Sequence, residues 1–183
     1  MIEDDAVPFR VTRSGAPYDA LGTLPVSVLL HGVRSLYNVG AFFRTVDAVA
    51  GRCVYLSGIT ARPPHAGLAK TALGAESVVR WRAVEAIDAI QELRAQGEEV
   101  AAVETTPTAV DLFDWRPAFP VCLVFGHEVD GLPREVLSAC DVHVRIPMLG
   151  RKHSLNVATA GGVALYELLR KYRQAAGMRT PTG

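Results

Sequence analysis

Short apolar runs alternate with longer stretches of helical periodicity along most of this sequence. Six runs are candidate strands: Val26–Leu30, Arg52–Leu56, Ser77–Arg80, Val100–Val103, Val121–Phe125 and Asp141–Ile146. Helical patterns occupy residues near 39–50, 66–73, 84–96, 133–139 and 156–174. Such alternation is typical of a parallel sheet with helices on both faces. The sequence therefore predicts one α/β domain with a mainly parallel, six-stranded sheet.

The length and the charge balance set limits on organisation and partners. The 183 residues suffice for one domain, predicted at 25–175, between a polar N-terminal arm at 1–24 and a flexible tail at 176–183. Lys and Arg number 19, as do Asp and Glu, so the net charge is zero. Without a global positive field, a nucleic-acid partner is disfavoured but not excluded, since local basic patches would still serve.

Composition also restricts the compartment and the metal chemistry. No apolar run approaches the roughly 18 residues of a membrane helix, and the acidic N-terminus is unlike a signal peptide. Three cysteines in apolar or helical sequence are typical of thiols in a reducing compartment: Cys53, Cys122 and Cys140. The histidines share no ligand spacing. We expect a cytoplasmic protein with no membrane association and no metal.

A first polar motif follows the first predicted strand. Asn38 is a candidate N-cap for a helix whose core face carries Val39, Phe42, Val46 and Val49. Gly40 and Arg44 are four residues apart and share another face, where the glycine admits close approach of a ligand or of another backbone. A surface arginine on an ordinary amphipathic helix explains the same residues, and both interpretations stay open.

A second polar motif ends the apolar run Val121–Phe125. Gly126 terminates the strand, and Glu128 lies in a turn closed by Gly131. A carboxylate at this place can hold a basic group, accept a proton or orient a substrate hydroxyl. It can also merely cap the following helix and favour its positive end.

A third polar motif follows the last predicted strand. Ile146, Pro147 and Met148 end that strand, and Ser154, Leu155 and Asn156 precede the last helix. Either Ser154 or Asn156 is a good N-cap, which leaves the other residue and the exposed Leu155 unexplained. Small residues early in this helix favour close packing against another backbone, and a symmetric partner subunit is one candidate.

Taken in order, the three motifs resemble those of the SpoU family of RNA 2′-O-ribose methyltransferases, within the SPOUT superfamily. The resemblance rests on Asn38, Gly40 and Arg44, then on Gly126, Glu128 and Gly131, and finally on residues 146–148 and 154–157. These motifs span nearly the whole predicted domain. Each motif is weakly specific by itself, but their joint occurrence in this order is strongly specific.

The resemblance implies a fold and a cofactor that pattern analysis does not supply. It implies a deep C-terminal trefoil knot, although knots are otherwise nearly absent from proteins. It also implies S-adenosylmethionine as methyl donor, held in the knot by Gly126, Ile146 and Leu155, with Thr105 as a further contact. Family members form homodimers through their first and last helices.

The resemblance further implies a division of labour among the polar residues. Arg44 would stabilise the developing alkoxide and clamp a phosphate, because an arginine is too basic to act as an ordinary general base. Asn38 and Glu128 would position Arg44 and the ribose, while Ser154 and Asn156 complete the pocket. Five candidate contacts to the phosphates of tRNA or rRNA are Arg10, Arg13, Arg34, Arg151 and Lys152.

Three competing interpretations remain. One is a catalytically silent knotted RNA-binding protein, and another is an enzyme that methylates a base nitrogen. The third is an ordinary nucleotide-binding α/β enzyme, which is disfavoured because no Gly-x-Gly-x-x-Gly or Walker-type loop follows the first strand.

Overall fold

A seven-stranded parallel sheet forms the centre of the protein in the computed structural model, which describes residues 22–177. The strands are β1 Leu24–His31, β2 Gly51–Ser57, β3 Trp81–Ala83, β4 Glu99–Val103, β5 Val110–Asp111, β6 Val121–Phe125 and β7 Val142–Arg145. Their order is β3-β2-β1-β6-β4-β7-β5, and all neighbours run parallel. The mainly parallel sheet is confirmed, whereas the predicted number of six strands is wrong.

Helices cover both faces of this sheet. They are α1 Leu36–Ala48, α2 Ala66–Ala72, α3 Ala75–Val78, α4 Ala86–Ala95, α5 Arg134–Ala139 and α6 Val157–Ala175. Residues of α1, α2 and α6 pack with one face of the sheet into the larger apolar core. Helices α4 and α5 pack on the other face in a second core. The alternating strands are buried on both sides, which explains their continuous apolar character.

Two parts of the sheet differ from the prediction. Residues 77–80 are not a strand, because Ser77 and Val78 lie in α3, which follows Gly74 at a φ of +91°. The third strand begins only after the predicted range, at Trp81, and pairs with β2. The additional strand, β5, has only two residues and is defined by its pairing with β7, so it is too short to produce a periodic pattern.

The topology places four connecting segments at one edge of the sheet. The chain runs from β1 to β2 on one side and from β6 to β7 on the other, so the direction of the connections changes between β1 and β6. In open parallel sheets, ligands bind at the carboxyl ends of strands beside such a switch point. Residues that follow β1, β4, β6 and β7 meet there.

In the described part of the chain, no helix combines the length and apolarity needed to cross a bilayer.

Lys171 ties α6 to the segment after β5. Its ammonium group donates hydrogen bonds to the carbonyl of Leu112 at 2.6 Å and to that of Trp115, and it lies 3.7 Å from the Glu167 carboxylate. Only 11% of the side chain is exposed. Lys171→Met keeps the aliphatic packing but leaves two carbonyls without this donor, so we expect the free energy of unfolding to fall by about 2 kcal/mol.

A matched variant at Arg170 distinguishes the buried hydrogen bonds of Lys171 from an ion pair on the surface. Arg170 also pairs with Glu167, but its side chain is 52% exposed. Arg170→Met should therefore change the free energy of unfolding by less than about 0.5 kcal/mol. Urea denaturation followed by circular dichroism measures both variants, and equal losses would contradict the role given to Lys171.

Candidate active site

An open cleft of about 660 Å³ lies at the carboxyl edge of the sheet. Its walls come from the residues after β4, β6 and β7. The four predicted donor-binding residues line this cleft: Thr105, Gly126, Ile146 and Leu155. Glu128, Ser154 and Asn156 line it as well, so the second and third motifs meet in one place. The volume is within the usual range of small-molecule sites.

Two glycines shape the loop after β6. His127 and Gly131 exchange backbone hydrogen bonds of 3.1 and 3.0 Å, which folds the loop back on itself. Gly131 has a φ of +68°, a conformation that favours glycine. A Cβ atom on Gly126 would lie 2.4 Å from the carbonyl carbon of Gly131. No side chain fits there, and the backbone itself forms this wall of the cleft.

The loop carries Glu128 to the start of α1. One carboxylate oxygen, Oε1, accepts hydrogen bonds from the Ser35 amide at 3.1 Å and from the Asn38 side-chain amide at 2.9 Å. The other, Oε2, accepts one from the Arg34 amide at 3.2 Å. Glu128 does not cap the helix that follows it in sequence. Its three partners lie at the start of the first motif and just before it, 90 to 94 residues earlier in the chain.

Asn156 adds the third motif to the same network. Its side-chain nitrogen donates to the Oδ1 atom of Asn38 at 3.1 Å. Its side-chain oxygen accepts from the amides of Ala158 and Thr159, so Asn156 is the N-cap of α6. Asn38 thus links Glu128 to Asn156 through one donated and one accepted hydrogen bond. Residues from all three motifs form one hydrogen-bonded chain beside the cleft.

Hydrogen bonding determines the protonation of Glu128. Partial burial by itself would raise the pKa of this carboxyl, but the hydrogen bonds from Asn38, Ser35 and Arg34 outweigh it and lower the pKa. The resulting stabilisation is present above the ordinary glutamate pKa and is lost as the pH falls through the lowered value. A carboxylate with a lowered pKa is a weak base. Glu128 is therefore suited to orienting other groups rather than to accepting a proton.

The first motif is arranged differently from the prediction at its cap. Asn38 is not the N-cap of α1; Ser35 is, and its hydroxyl accepts a hydrogen bond from the Asn38 amide at 3.4 Å. Asn38 lies three residues into the helix, where its side chain is free to reach Glu128. The close approach expected at Gly40 comes from α2, because a Cβ atom there would lie 2.8 Å from the Ala72 amide nitrogen.

Arg44 lies on the same helix but not in the cleft. Its side chain is exposed, and it is not among the residues that line the cleft. Arg34, Arg151 and Lys152 are likewise exposed, on loops at the carboxyl edge, and no ion pair within residues 22–177 involves them. Arg10 and Arg13 lie outside the described residues. Ser154 is exposed at the cleft.

Glu104 is a cleft residue that the motif analysis missed. It follows β4 directly and lines the cleft beside Thr105. A polar residue immediately after an apolar strand, at the carboxyl edge, was the available signal. His127, Arg145 and His153 also line the cleft. Within residues 22–177, no three His, Cys, Asp or Glu side chains are grouped so as to hold a metal ion.

The cap and the network functions of Asn156 are separable. Asn156→Ala removes the acceptor at the start of α6, and we expect the free energy of unfolding to fall by about 1 kcal/mol. Asn156→Ser supplies a hydroxyl that restores the cap but does not reach Asn38, so most of that loss should be recovered. Thermal denaturation measures both. A serine variant as unstable as the alanine variant would contradict the capping role.

The fold and the cleft define a parallel α/β protein with a cleft of small-molecule size at the switch point of its sheet. The model of the SpoU rRNA methylase family matches residues 25–166, and the chain belongs to this family. It is 34% identical over 154 residues to the tRNA (guanosine(18)-2′-O)-methyltransferase of Escherichia coli K12, which covers 84% of this chain and 66% of that protein. The matched segment thus spans slightly less than two thirds of that relative.

Solved structures of the family have the same fold. A TrmH/SpoU tRNA modifying enzyme from A. aeolicus matches with a TM-score of 0.76 and 26% identity, over 88% of this chain and 83% of that one. An rRNA methyltransferase from Sinorhizobium meliloti, crystallised with AdoMet, matches with a TM-score of 0.75 and 31% identity, over 86% of this chain and 61% of that one. The expected family is confirmed.

Proposed function

We propose that this protein transfers a methyl group from S-adenosylmethionine to a ribose 2′-hydroxyl of a structured RNA, either tRNA or rRNA. The observation that carries the proposal is the hydrogen-bonded chain from Glu128 through Asn38 to Asn156. It joins residues of three separate motifs at the mouth of one cleft. The relatives named for 2′-O-methylation of tRNA and for methylation of rRNA support the substrate class.

The cleft has the chemistry that an adenosyl ligand requires. Apolar side chains such as Ile146, Leu155 and Val157 line the cleft, and so do Glu104 and the glycine loop. The first set suits a purine, and the second suits ribose hydroxyls and a charged tail. Thr105, Gly126, Ile146 and Leu155 would hold this ligand. When bound, S-adenosylmethionine supplies an electrophilic methyl group.

The residues of the network hold the RNA ribose rather than move its proton. Glu128 and Asn156 are already fixed by hydrogen bonds, which keeps their positions constant as the substrate arrives. Ser154 is exposed at the cleft and available to the ribose. In this proposal the hydroxyl proton leaves to solvent, because Glu128 is a weak base and an arginine stays protonated.

Arg44 supplies positive charge from outside the cleft. We assign it to the developing negative charge on the 2′-oxygen and to an adjacent phosphate, where a guanidinium makes charge-assisted hydrogen bonds. Arg34, Arg151 and Lys152 would bind further phosphates at the carboxyl edge. Arg10 and Arg13, which lie outside the described residues, are two further phosphate contacts of the proposal. Such contacts make RNA affinity fall with rising salt.

The C-terminal trefoil knot is part of the proposal. The segment 146–156 leaves β7 near one side of the sheet and leads to α6, which packs on α1 near the centre. On the way it lines the cleft together with the residues after β4 and those after β6. This shared lining supports the proposal that the segment threads through a loop, as a knot requires.

A homodimer through α1 and α6 is also proposed. These helices pack on each other, and each exposes a tyrosine: Tyr37 is 78% exposed and Tyr166 is 52% exposed. Aromatic side chains are typical of the buried centre of interfaces.

Tyr166→Glu should convert the dimer into a monomer in light scattering. The matched change Gln91→Glu, on the exposed side of α4, should leave the dimer intact, and a monomeric parent protein would refute the proposal.

The cytoplasm is the proposed compartment, and three free cysteines support it: Cys53, Cys122 and Cys140. A reducing environment keeps such thiols unpaired.

Mapping of ribose methylation tests the proposed reaction. Total RNA is incubated with S-adenosylmethionine and the protein, digested to nucleosides and analysed by mass spectrometry, with heat-denatured protein as control. A new 2′-O-methyl nucleoside at one position of a tRNA or rRNA is the expected result. New methyl groups on base nitrogens would replace this proposal by the alternative target. A protein that binds RNA, does not bind S-adenosylmethionine and does not methylate would be a silent RNA-binding protein.

A further inference from the structure

We propose that Glu104 binds the ribose hydroxyls of the adenosyl ligand, an inference that rests on the proposed function. Glu104 is the first residue after β4, and its half-buried side chain lines the cleft. Neither of the two polar loops that dominate the sequence, at 126–131 and at 146–156, contains it. The assignment rests on its position, its fixed orientation and its remaining hydrogen-bonding capacity.

Backbone amides on both sides hold the Glu104 carboxylate. Its Oε1 atom accepts a hydrogen bond from the Thr105 amide at 3.0 Å, and its Oε2 atom accepts one from the Leu132 amide at 3.3 Å. Gly131 makes room for it, because a Cβ atom there would lie 2.6 Å from Oε2. The carboxylate is therefore fixed between the end of β4 and the glycine loop of β6.

Glu104 combines a fixed position with free acceptor capacity for two further donors. An ionised carboxylate offers about four acceptor positions, so two remain after both backbone bonds are made. Glu128 already accepts from three donors, which leaves one position, and the Asp130 side chain is 81% exposed. Among the carboxylates of the described cleft, Glu104 is the one that is both held by two backbone amides and able to accept from two more donors.

A vicinal diol is the ligand group that matches this acceptor. Ribose presents two neighbouring hydroxyl donors, and a carboxylate accepts from both with its two oxygens. In parallel α/β nucleotide sites, an acidic residue in the dinucleotide crevice holds ribose hydroxyls in this way. Ile146 and Leu155, which line the same cleft, supply apolar surface for an attached base.

Binding of S-adenosylhomocysteine and its 2′,3′-dideoxy analogue tests the inference by calorimetry, without any turnover. The parent protein should bind the ribose form at least about tenfold more tightly than the dideoxy form, as expected for hydrogen bonds to a charged acceptor. In Glu104→Gln this ratio should shrink to about threefold or less, because an amide has a single acceptor oxygen and no charge. Asp130→Asn, a carboxylate change on the exposed rim, should keep the parent ratio.

The ratio of the two affinities distinguishes recognition of the ribose hydroxyls by Glu104 from a purely structural role. If Glu104→Gln weakens both ligands equally, Glu104 only supports the loop, and the inference is wrong. It is also wrong if the parent protein does not distinguish the two ligands. If the parent protein binds neither, the proposed methyltransferase function itself fails. Should Glu104→Gln not fold, Glu104→Asp keeps the charge but withdraws the carboxylate, and its ratio should likewise shrink.

Discussion

Replacing Arg44 by alanine is expected to lower the rate of methyl transfer at least about 100-fold, while the affinity for S-adenosylmethionine changes less than about twofold. The first effect follows because loss of a positive group beside a developing oxyanion typically costs this much. The second follows because Arg44 is exposed on α1 and does not line the cleft. Single-turnover kinetics with RNA and calorimetry with the donor measure the two quantities separately.

A matched arginine controls for charge and for stability. Arg80 is exposed as well, but it precedes β3 at the amino edge of the sheet, away from the cleft. Arg80→Ala should leave both quantities near the parent values, and each variant should unfold within about 0.5 kcal/mol of the parent. Loss of donor binding together with turnover in Arg44→Ala would overturn the division between an RNA-facing arginine and a donor-binding cleft.

The sequence predicts where the three motifs meet, but not every strand of the sheet, for a physical reason. Polar residues that follow buried strands must meet at one edge when the strands are parallel, and Glu128, Asn156 and Thr105 all line the cleft there. The two-residue strand β5 exists only through its pairing with β7, which no local pattern records. The strand predicted at Ser77–Arg80 is wrong because two adjacent valines favour a strand, whereas the turn at Gly74 starts a helix.

The hydrogen-bond partners of Asn38 are the second feature that the sequence does not predict. Asn38 satisfies every local rule for an N-cap, but Ser35 takes that place and frees Asn38 for two distant partners. Its bonds to Glu128 and Asn156 span 90 and 118 residues. Local propensity contains no information about such contacts. The motif order indicates that these residues belong together, and the structure shows which atom meets which.

Changing Asn38 to aspartate is expected to disrupt this network more severely than any truncation. The side-chain nitrogen of Asn38 lies 2.9 Å from Glu128 Oε1, and Asn38 is 9% exposed. An aspartate has nearly the same shape but replaces the donor by a second carboxylate. We expect the free energy of unfolding at neutral pH to fall by about 2 kcal/mol, because the hydrogen bond is lost and like charges meet.

The loss should depend on pH with a defined sign. Two adjacent carboxylates raise the pKa of one of them, so the pair takes up a proton as the pH falls. The destabilisation of Asn38→Asp is therefore full above that raised pKa and should shrink below it. Guanidinium denaturation at a series of pH values from neutral to acidic measures the trend. A variant as stable as the parent at neutral pH would contradict the network.

A second substitution exchanges donor and acceptor in the hydrogen bond between residues 38 and 128. It tests whether loss of this bond causes the destabilisation of Asn38→Asp. In Asn38→Asp combined with Glu128→Gln, the new amide nitrogen takes the place of Oε1 and donates to the new carboxylate. The amide oxygen still accepts from Arg34, whereas the Ser35 amide, which donates to Oε1 in the parent protein, loses its acceptor. We expect a favourable coupling of at least about 1 kcal/mol in the double-mutant cycle. Gln96→Glu is the exposed comparison, since Gln96, the C-cap of α4, donates at 3.2 Å to Glu92, a carboxylate that Arg82 also binds. Because solvent screens that pair, Gln96→Glu should lower the free energy of unfolding by less than about 0.5 kcal/mol. A loss equal to that of Asn38→Asp would show that burial of the network contributes nothing.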